Sequence, residues 1–101
     1  MTTEKGNFIG DRWVPGGRAC PSVNPSDTTD IDGYFAEATA SQVAEAIAAA
    51  RAGAVVWGAS PLEARYRALM AIGDELCARS QELGELLSRE EGKTLAEATG
   101  E

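Results

Sequence analysis

Histidine is absent from the 101-residue sequence, and cysteine occurs only at Cys20 and Cys77. Without histidine, the sequence cannot form a His-based catalytic triad, and most kinds of protein metal site are excluded. Neither cysteine has another cysteine nearby, so we expect neither a disulfide framework nor a zinc site. Conventional chemistry within this chain is therefore limited to carboxylates, thiols and hydroxyls.

Positive charge and long apolar runs are also scarce. Nine Lys and Arg are outnumbered by sixteen Asp and Glu, which gives a formal net charge of −7. Nucleic acids and anionic membranes select for clustered basic residues, and here they are scattered, so we expect neither as a partner. No window approaches the roughly 18 apolar residues that span a bilayer, and the first residues lack a signal-peptide pattern. The sequence therefore predicts a cytoplasmic protein.

Large apolar side chains are few. Aromatic residues make up 6% of the chain, and many of the residues in its 44% apolar fraction are Ala. A domain of about 100 residues buries roughly two-thirds of the surface that its unfolded chain exposes. We therefore expect at most one domain, with a thin core.

Strand and turn signals occupy residues 1–38. Residues that favour β-structure flank Gly10-Asp11 and predict a hairpin over residues 7–14. Further short strands are predicted at 20–23 and at about 34–38. The turn that begins at Asn24-Pro25 separates them, because proline restricts the residue before it to extended conformations.

Helix signals occupy residues 39–101, with predicted helices at about 40–53, 61–79, 81–91 and 94–101. Three capping boxes mark helix starts, at Thr39 to Gln42, Ser60 to Glu63 and Thr94 to Glu97. Gly92 is predicted to cap the C-terminus of the third helix, which makes Gly92-Lys93 a tight corner between two helices.

Two apolar stripes run along the first two predicted helices. The first stripe comprises Val43, Ile47 and Ala50, and the second comprises Leu69, Met70 and Leu76. Trp57 is predicted to anchor the loop after the first helix in the core. Cys77 lies beside the second stripe and is interpreted as a small buried hydrophobic residue. Cys20 lies in a loop where only Arg18 could activate it, and no general base accompanies it.

The corner near the C-terminus carries a specific resemblance. Residues 88–98, SREEGKTLAEA, followed by Gly100-Glu101, resemble a segment of NAD(P)-dependent aldehyde dehydrogenases. Four earlier segments are similar to that family in the same order: residues 7–14, 23–27, 46–57 and 61–65. The Asn-Pro turn and the Gly-Lys corner look most like the branch acting on semialdehydes of dicarboxylic acids, such as 2-oxoglutarate semialdehyde.

The resemblance implies a mainly α fold with a short N-terminal β-hairpin, as the N-terminal fragment of the α/β aldehyde dehydrogenase fold. It extends from residue 7 to the last residue and covers roughly a fifth of a family member. Residues 1–38 would supply N-terminal strands and turns, and residues 39–101 would supply helices flanking the cofactor-binding domain. The chain would therefore be an incomplete domain, which we expect to be marginally folded alone, with both stripes partly exposed.

The resemblance also implies a reaction. Family members oxidise an aldehyde to a carboxylic acid through a thiohemiacetal on a cysteine, transfer hydride to NAD or NADP, and hydrolyse the thioester with a glutamate-activated water. In the family these groups and the cofactor site lie beyond the first hundred residues. Neither cysteine of this chain matches the nucleophile, and Glu90, Glu91 and Glu101 do not match the base. We therefore expect no catalytic and no cofactor-binding residue in this chain, which alone would be inactive and bind no NAD(P).

Some members hold a structural monovalent cation, which by resemblance would lie at Ser22, Val23 and Glu90. The intact protein would be a homo-oligomer, a dimer or tetramer, acting on an aldehyde. Two alternatives remain. The chain could be a free-standing helical protein-interaction module that receives a partner helix on its stripes. It could also be a truncated pseudo-enzyme that docks on full-length subunits.

Overall fold

The computed structural model describes residues 4–101. Within that range the strands are β1 (Glu4–Lys5), β2 (Asn7–Ile9), β3 (Arg12–Val14), β4 (Arg18–Val23) and β5 (Ile31–Glu37). The helices are α1 (Ala40–Ala59), α2 (Leu62–Ala78), α3 (Ser80–Glu91) and α4 (Leu95–Gly100). The fold is mainly helical with short strands near the N-terminus, as the sequence predicts. Among residues 4–101, no helix is long and apolar enough to cross a membrane.

The chain forms two compact units. The first comprises the described residues up to Pro21 together with Gly33–Pro61, and the second comprises Ser22–Asp32 and Leu62–Glu101. The first unit contains the hairpin and α1. The second contains the turn after β4 and helices α2 to α4.

The predicted hairpin is confirmed. Strands β2 and β3 pair antiparallel, and Ile9 lies opposite Arg12. Gly10 and Asp11 form the two-residue turn, with φ angles of 56° and 62°. Positive φ at both positions matches the right-handed twist of the strands, which is why Gly and Asp suit such turns. The rings of Phe8 and Trp13 pack across the hairpin with their centroids 5.1 Å apart.

A second sheet has the strand order β1-β5-β4. Strand β1 pairs parallel with β5, so that Glu4 lies opposite Tyr34. The Gly17 N–H donates to the Glu37 carbonyl at 2.9 Å at one end of the β4–β5 hairpin. Strand β4 begins at residue 18 and β5 at residue 31, earlier than the predicted 20 and 34. Hydrogen bonds between neighbouring strands extend both strands into residues that have little strand preference of their own.

Helix α1 begins as predicted and ends later. The Thr39 hydroxyl accepts from the Gln42 N–H at 3.2 Å, and the Gln42 side chain accepts from the Thr39 N–H at 3.0 Å, which confirms this capping box. The predicted end at residue 53 is wrong, since α1 extends to Ala59. A glycine costs a helix only about 1 kcal/mol, so Gly53 and Gly58 do not end α1, which stops just before Ser60 and Pro61.

Ser60 has a different role from the predicted one. It is the C-cap of α1, with an extended backbone at φ −67° and ψ 143°, as expected for a residue before proline. Its hydroxyl donates to the Val56 carbonyl at 2.9 Å, and its N–H donates to the Trp57 carbonyl at 3.1 Å. The predicted Ser60–Glu63 capping box is therefore wrong, because the Ser60 side chain turns back to the preceding helix.

The corner between α3 and α4 is confirmed. Gly92 adopts φ 72° and its N–H donates to the Ser88 carbonyl at 2.8 Å, so it caps α3 in the left-handed conformation. Thr94 caps α4 by accepting from the Glu97 N–H at 3.4 Å. In a capping box the Glu97 carboxylate would also accept from the Thr94 N–H. Here it accepts from the Thr94 hydroxyl instead, at 2.8 Å.

Little apolar surface is buried. Among residues 4–101, Ile9 and Ala98 are the buried hydrophobic residues, and α1 and α2 contain no buried residue. Both stripes are exposed, with Ile47 at 52% and Leu69 at 63% of full exposure. Two predictions of burial are wrong: Trp57 is 48% exposed, and Cys77 is exposed.

Candidate functional site

The turn after β4 is closed by its own polar side chains. The Asn24 side-chain carbonyl accepts from the Ser26 N–H at 2.9 Å, and its side-chain amide donates to the Asp30 carboxylate at 3.2 Å. The Asn24 N–H donates to the Asp30 carbonyl at 2.9 Å. Asp27 accepts from the N–H and hydroxyl of Thr29, which lower the pKa of its carboxyl group. This segment is therefore a defined loop in which every polar side chain named here has a partner.

Arg89 joins this loop to α3. Its Nε and Nη2 atoms donate to the two oxygens of Asp30 at 2.9 and 2.7 Å, in the fork geometry that suits a carboxylate. The hydrogen bond from Arg89 lowers the pKa of Asp30 to about 2, with a further contribution from Asn24. The loop and the C-terminal end of α3 are thus held together by a charged, bidentate contact.

Gly92 makes a second contact between the same two segments. The Ser26 hydroxyl donates to the Gly92 carbonyl at 2.8 Å. A Cβ atom at Gly92 would lie 2.7 Å from Pro25 Cγ and from Ser26 Oγ, so only glycine allows this approach. Beside it, the Lys93 ammonium pairs with Glu91 at 3.0 Å and with Glu101. The Asn-Pro turn and the Gly-Lys corner, which are far apart in the sequence, are therefore neighbours.

The three residues predicted to hold a cation lie on these joined segments. Ser22 and Val23 end β4, and Glu90 is the penultimate residue of α3, next to Arg89. Ser22 is half-buried, whereas Val23 and Glu90 are exposed. Within residues 4–101, no three His, Cys, Asp or Glu side chains cluster as metal ligands. A cation here would depend on hydroxyl and carbonyl oxygens as well as carboxylates.

Asp32 is a residue of this region that the sequence interpretation missed. Both of its carboxylate oxygens are buried and have no hydrogen-bond partner. The sequence did contain a signal, because an acidic residue between Ile31 and Gly33 interrupts an otherwise strand-like stretch. Because the strand was predicted to begin at about residue 34, Asp32 was assigned to the preceding turn, whereas it lies within β5. These orphaned oxygens fit a cation, because a buried carboxylate requires a compensating donor or positive charge.

The cysteines show no catalytic arrangement. Cys20 is half-buried, and its thiol donates to the Glu37 carboxylate at 3.8 Å. Arg18 hydrogen-bonds to the same carboxylate and lowers the pKa of Glu37. The guanidinium that could have stabilised a thiolate is therefore paired with Glu37. Cys77 lies at an apolar groove whose lining includes Leu76, Leu83 and Leu87.

Solved structures identify the class of fold. The structure of 3,6-anhydro-L-galactose dehydrogenase in complex with NAP matches with a TM-score of 0.90 and 27% identity, over 97% of this chain and 21% of that one. A putative methylmalonate-semialdehyde dehydrogenase from Sinorhizobium meliloti 1021, complexed with NAD, matches with a TM-score of 0.84 and 36% identity, over 99% of this chain and 21% of that one. The fold is thus an N-terminal fragment of a larger dehydrogenase fold.

Sequence comparison then identifies the family. The model of the aldehyde dehydrogenase family matches residues 13–101, and the chain belongs to this family. It is 37% identical over 99 residues to aldehyde dehydrogenase family 7 member A1 of Pisum sativum, covering 98% of this chain and 19% of that protein. It is 36% identical over 97 residues to alpha-ketoglutaric semialdehyde dehydrogenase of Bacillus subtilis, covering 94% of this chain and 20% of that protein. The chain therefore spans about a fifth of the length of these curated relatives.

Proposed function

We propose that this chain is the leading portion of an enzyme that oxidises an aldehyde to a carboxylic acid with NAD+ or NADP+. The observation that carries the proposal is the family match over residues 13–101, together with the fold shared with NAD and NAP complexes. A semialdehyde of a dicarboxylic acid is the proposed substrate class, because alpha-ketoglutaric semialdehyde dehydrogenase is among the relatives. We propose a cytoplasmic homo-oligomer as the intact form.

The chain's own part in this activity is structural. Covalent aldehyde oxidation needs an activated cysteine and a general base, and the contacts of Cys20 and Cys77 offer neither. We propose that the nucleophile, the base and the cofactor site lie in the rest of the polypeptide. The 101 residues alone would then neither oxidise aldehydes nor bind NAD(P).

We further propose that helices α1 and α2 pack against the cofactor-binding domain. Eighteen large hydrophobic residues of the described chain are exposed, including Val43, Ile47, Leu69 and Met70. Exposed apolar area on this scale is unusual for an independent soluble monomer and is typical of a surface that another structure covers. The remaining four-fifths of a family member would supply that cover.

The loop and corner are proposed to hold a structural cation. Ser22, Val23 and Glu90 are its proposed ligands, and the contacts from Asp30 to Arg89 and from Ser26 to Gly92 support this assignment by joining the two segments. Carbonyl, hydroxyl and carboxylate oxygens are the ligands that hard cations prefer. The cation would stabilise the contact between the loop after β4 and the Gly-Lys corner, and it would take no part in the reaction.

The proposed activity is tested by reading the coding DNA beyond the Glu101 codon. We expect several hundred further codons in frame, including a glycine-rich strand-turn-helix segment and a cysteine in a new segment. Purified protein from that longer frame should reduce NAD+ or NADP+ when supplied with 2-oxoglutarate semialdehyde. A stop codon directly after Glu101 in the native gene would contradict the proposal. The two alternatives would then remain: a helical interaction module, or a truncated pseudo-enzyme that docks on full-length subunits.

A further inference from the structure

The C-terminal part of α1 is apolar on every side. Its last residues, Ala52–Ala59, have the sequence AGAVVWGA and include no charged, hydroxyl or amide side chain. A helix at the surface of a soluble protein keeps a polar side toward water, whereas a helix that is apolar all round is buried. Here Val55 is 74% exposed and Val56 is 72% exposed. This end of α1 therefore requires cover from outside residues 4–101.

The apolar surface at this end includes a face opposite the first stripe. An α-helix has about 3.6 residues per turn, so a residue nine positions further on lies about two and a half turns away, on the opposite side. Nine positions after the first-stripe residues come Ala52, Val56 and Ala59. We define the rear face of α1 as the exposed residues Ala48, Ala52, Val55, Val56 and Ala59. One flat surface cannot cover both the first stripe and the rear face.

The first stripe faces the body of its own chain. Phe8 and Ile9 of β2 line a groove together with Val43 and Ile47 of this stripe. The stripe is also the part of α1 that we proposed to pack against the cofactor-binding domain. The rear face consequently points away from its own subunit, where a separate molecule can reach it. A homo-oligomer, as proposed above for the intact form, supplies a second copy as that molecule.

The charges on α1 favour an antiparallel contact between two copies. Each copy has a formal net charge of −7, so two copies repel unless they meet on an uncharged surface. Glu45 is on the rear side, two turns before Ala52. Parallel helices in register would bring the two Glu45 carboxylates together. Antiparallel helices that cross at Val55 and Val56 keep these carboxylates at opposite ends of the contact.

We propose that the rear face of α1 is a contact between two copies of this chain, related by a two-fold axis. Val55 and Val56 of one copy pack against the same residues of the second copy, as in an isologous interface. The small side chains of Ala52 and Ala59 allow the two helix backbones to approach closely. The inference rests on the homo-oligomer of the proposed function and names one of its surfaces.

Cross-linking tests the contact directly. The protein is expressed from its native reading frame, whatever the length of that frame, and is treated with a short bismaleimide. Val56→Cys should form a covalent dimer, and mass spectrometry should identify a link between position 56 of both copies. Ala44→Cys lies near the other end of the same helix and is the matched control. It should not cross-link, because antiparallel packing places the two copies of this position far apart. The wild type, with its native cysteines, gives the background.

Charge exchange provides a second test, measured by sedimentation velocity. Val56→Glu and Val56→Lys should each raise the dissociation constant between the two copies at least about tenfold, because like charges would face each other. An equimolar mixture of the two variants should associate again. Ala44→Glu adds the same charge outside the rear face and should associate as the wild type does. Equal helix content by circular dichroism excludes unfolding as the cause.

Three results would overturn the inference: a monomeric wild type, no link through position 56, or a mixture that associates no better than either variant alone. Protection of Val56→Cys from maleimide without a cross-link would show that the same polypeptide covers the rear face, which also contradicts the inference. None of these results decides the dehydrogenase proposal, which depends on the downstream reading frame. If that frame ended after Glu101, the same experiments would still test the contact in the 101-residue chain.

Discussion

Asp30 and Arg89 form a contact whose strength depends on pH. The hydrogen bond from Arg89 lowers the pKa of Asp30 from 3.8 to about 2 in the folded protein. A carboxyl group whose pKa is lower in the folded state stabilises it above its unfolded pKa. That stabilisation is lost as the pH falls from about 4 through about 2, where Asp30 takes up a proton and releases Arg89.

The Asp30→Asn variant should therefore lose stability at neutral pH and become less sensitive to acid. Urea unfolding midpoints measured between about pH 6 and pH 2 should converge for wild type and variant at the acidic end. Asp74→Asn provides the control for removing one carboxylate from an exposed surface. A constant difference between wild type and Asp30→Asn at all pH values would contradict this assignment.

Single residues also mark where sequence interpretation failed. Cys77 was expected to be buried because it lies beside the second stripe, and Trp57 because it was predicted to anchor a loop in the core, yet both are exposed. Asp32 was assigned to a turn, yet it lies within β5 and its oxygens are buried. Burial depends on what packs over a residue, and a local pattern contains no information about that distant segment.

At the scale of elements, the start of α1 depends on a cap. Thr39→Ala removes the acceptor for the Gln42 N–H and should destabilise the chain by about 1 kcal/mol. Thr39→Ser retains a hydroxyl and should retain most of the stability. Urea unfolding followed by circular dichroism compares the three proteins, and equal midpoints for Thr39→Ala and wild type would contradict the role of the cap.

Two glycines in helical regions should respond oppositely to alanine. Gly92→Ala places a side chain at φ 72° and against Pro25 and Ser26, and we expect it to cost about 1–2 kcal/mol or more. Gly73→Ala introduces a Cβ atom with nothing within 4 Å in the interior of α2, and we expect a gain of about 1 kcal/mol. The same unfolding assay measures both. A stabilising Gly92→Ala would show that the corner does not need the left-handed conformation.

At the scale of the whole molecule, the exposed second stripe is predicted to matter only in a longer protein. Leu69 is 63% exposed, so Leu69→Asp should change the stability of this chain by less than about 0.5 kcal/mol. In a chimera that joins this chain to the remaining four-fifths of the Bacillus subtilis relative, the same change should abolish soluble, active enzyme, because it would bury an unpaired charge.

Asp74→Lys in the same chimera is the control for a charge change on α2 and should leave activity within about twofold. Activity is measured as NAD(P)H formation with alpha-ketoglutaric semialdehyde. A chimera carrying Leu69→Asp that remained fully active would show that the second stripe faces solvent in the complete enzyme. The unmodified chimera should also bind NAD+, whereas calorimetry on the 101-residue chain should show no saturable binding.

The sequence alone determined the local features of this protein. The hairpin at Gly10-Asp11, the Thr39 cap and the Gly92 corner are each encoded within a few consecutive residues, where backbone preferences and short hydrogen bonds decide the outcome. The ordered motifs also identified the family, because several weak local matches in the correct order rarely coincide.

Only the tertiary structure decided how distant segments meet. Arg89 reaches Asp30 across 59 positions, and Ser26 reaches Gly92 across 66, and no local pattern indicated either pair. The same holds for the burial of the Asp32 oxygens and for the exposure of Trp57 and Cys77. Local conformation is set by neighbouring residues, whereas burial and long-range pairing depend on the packing of the whole chain, which a one-dimensional pattern does not record.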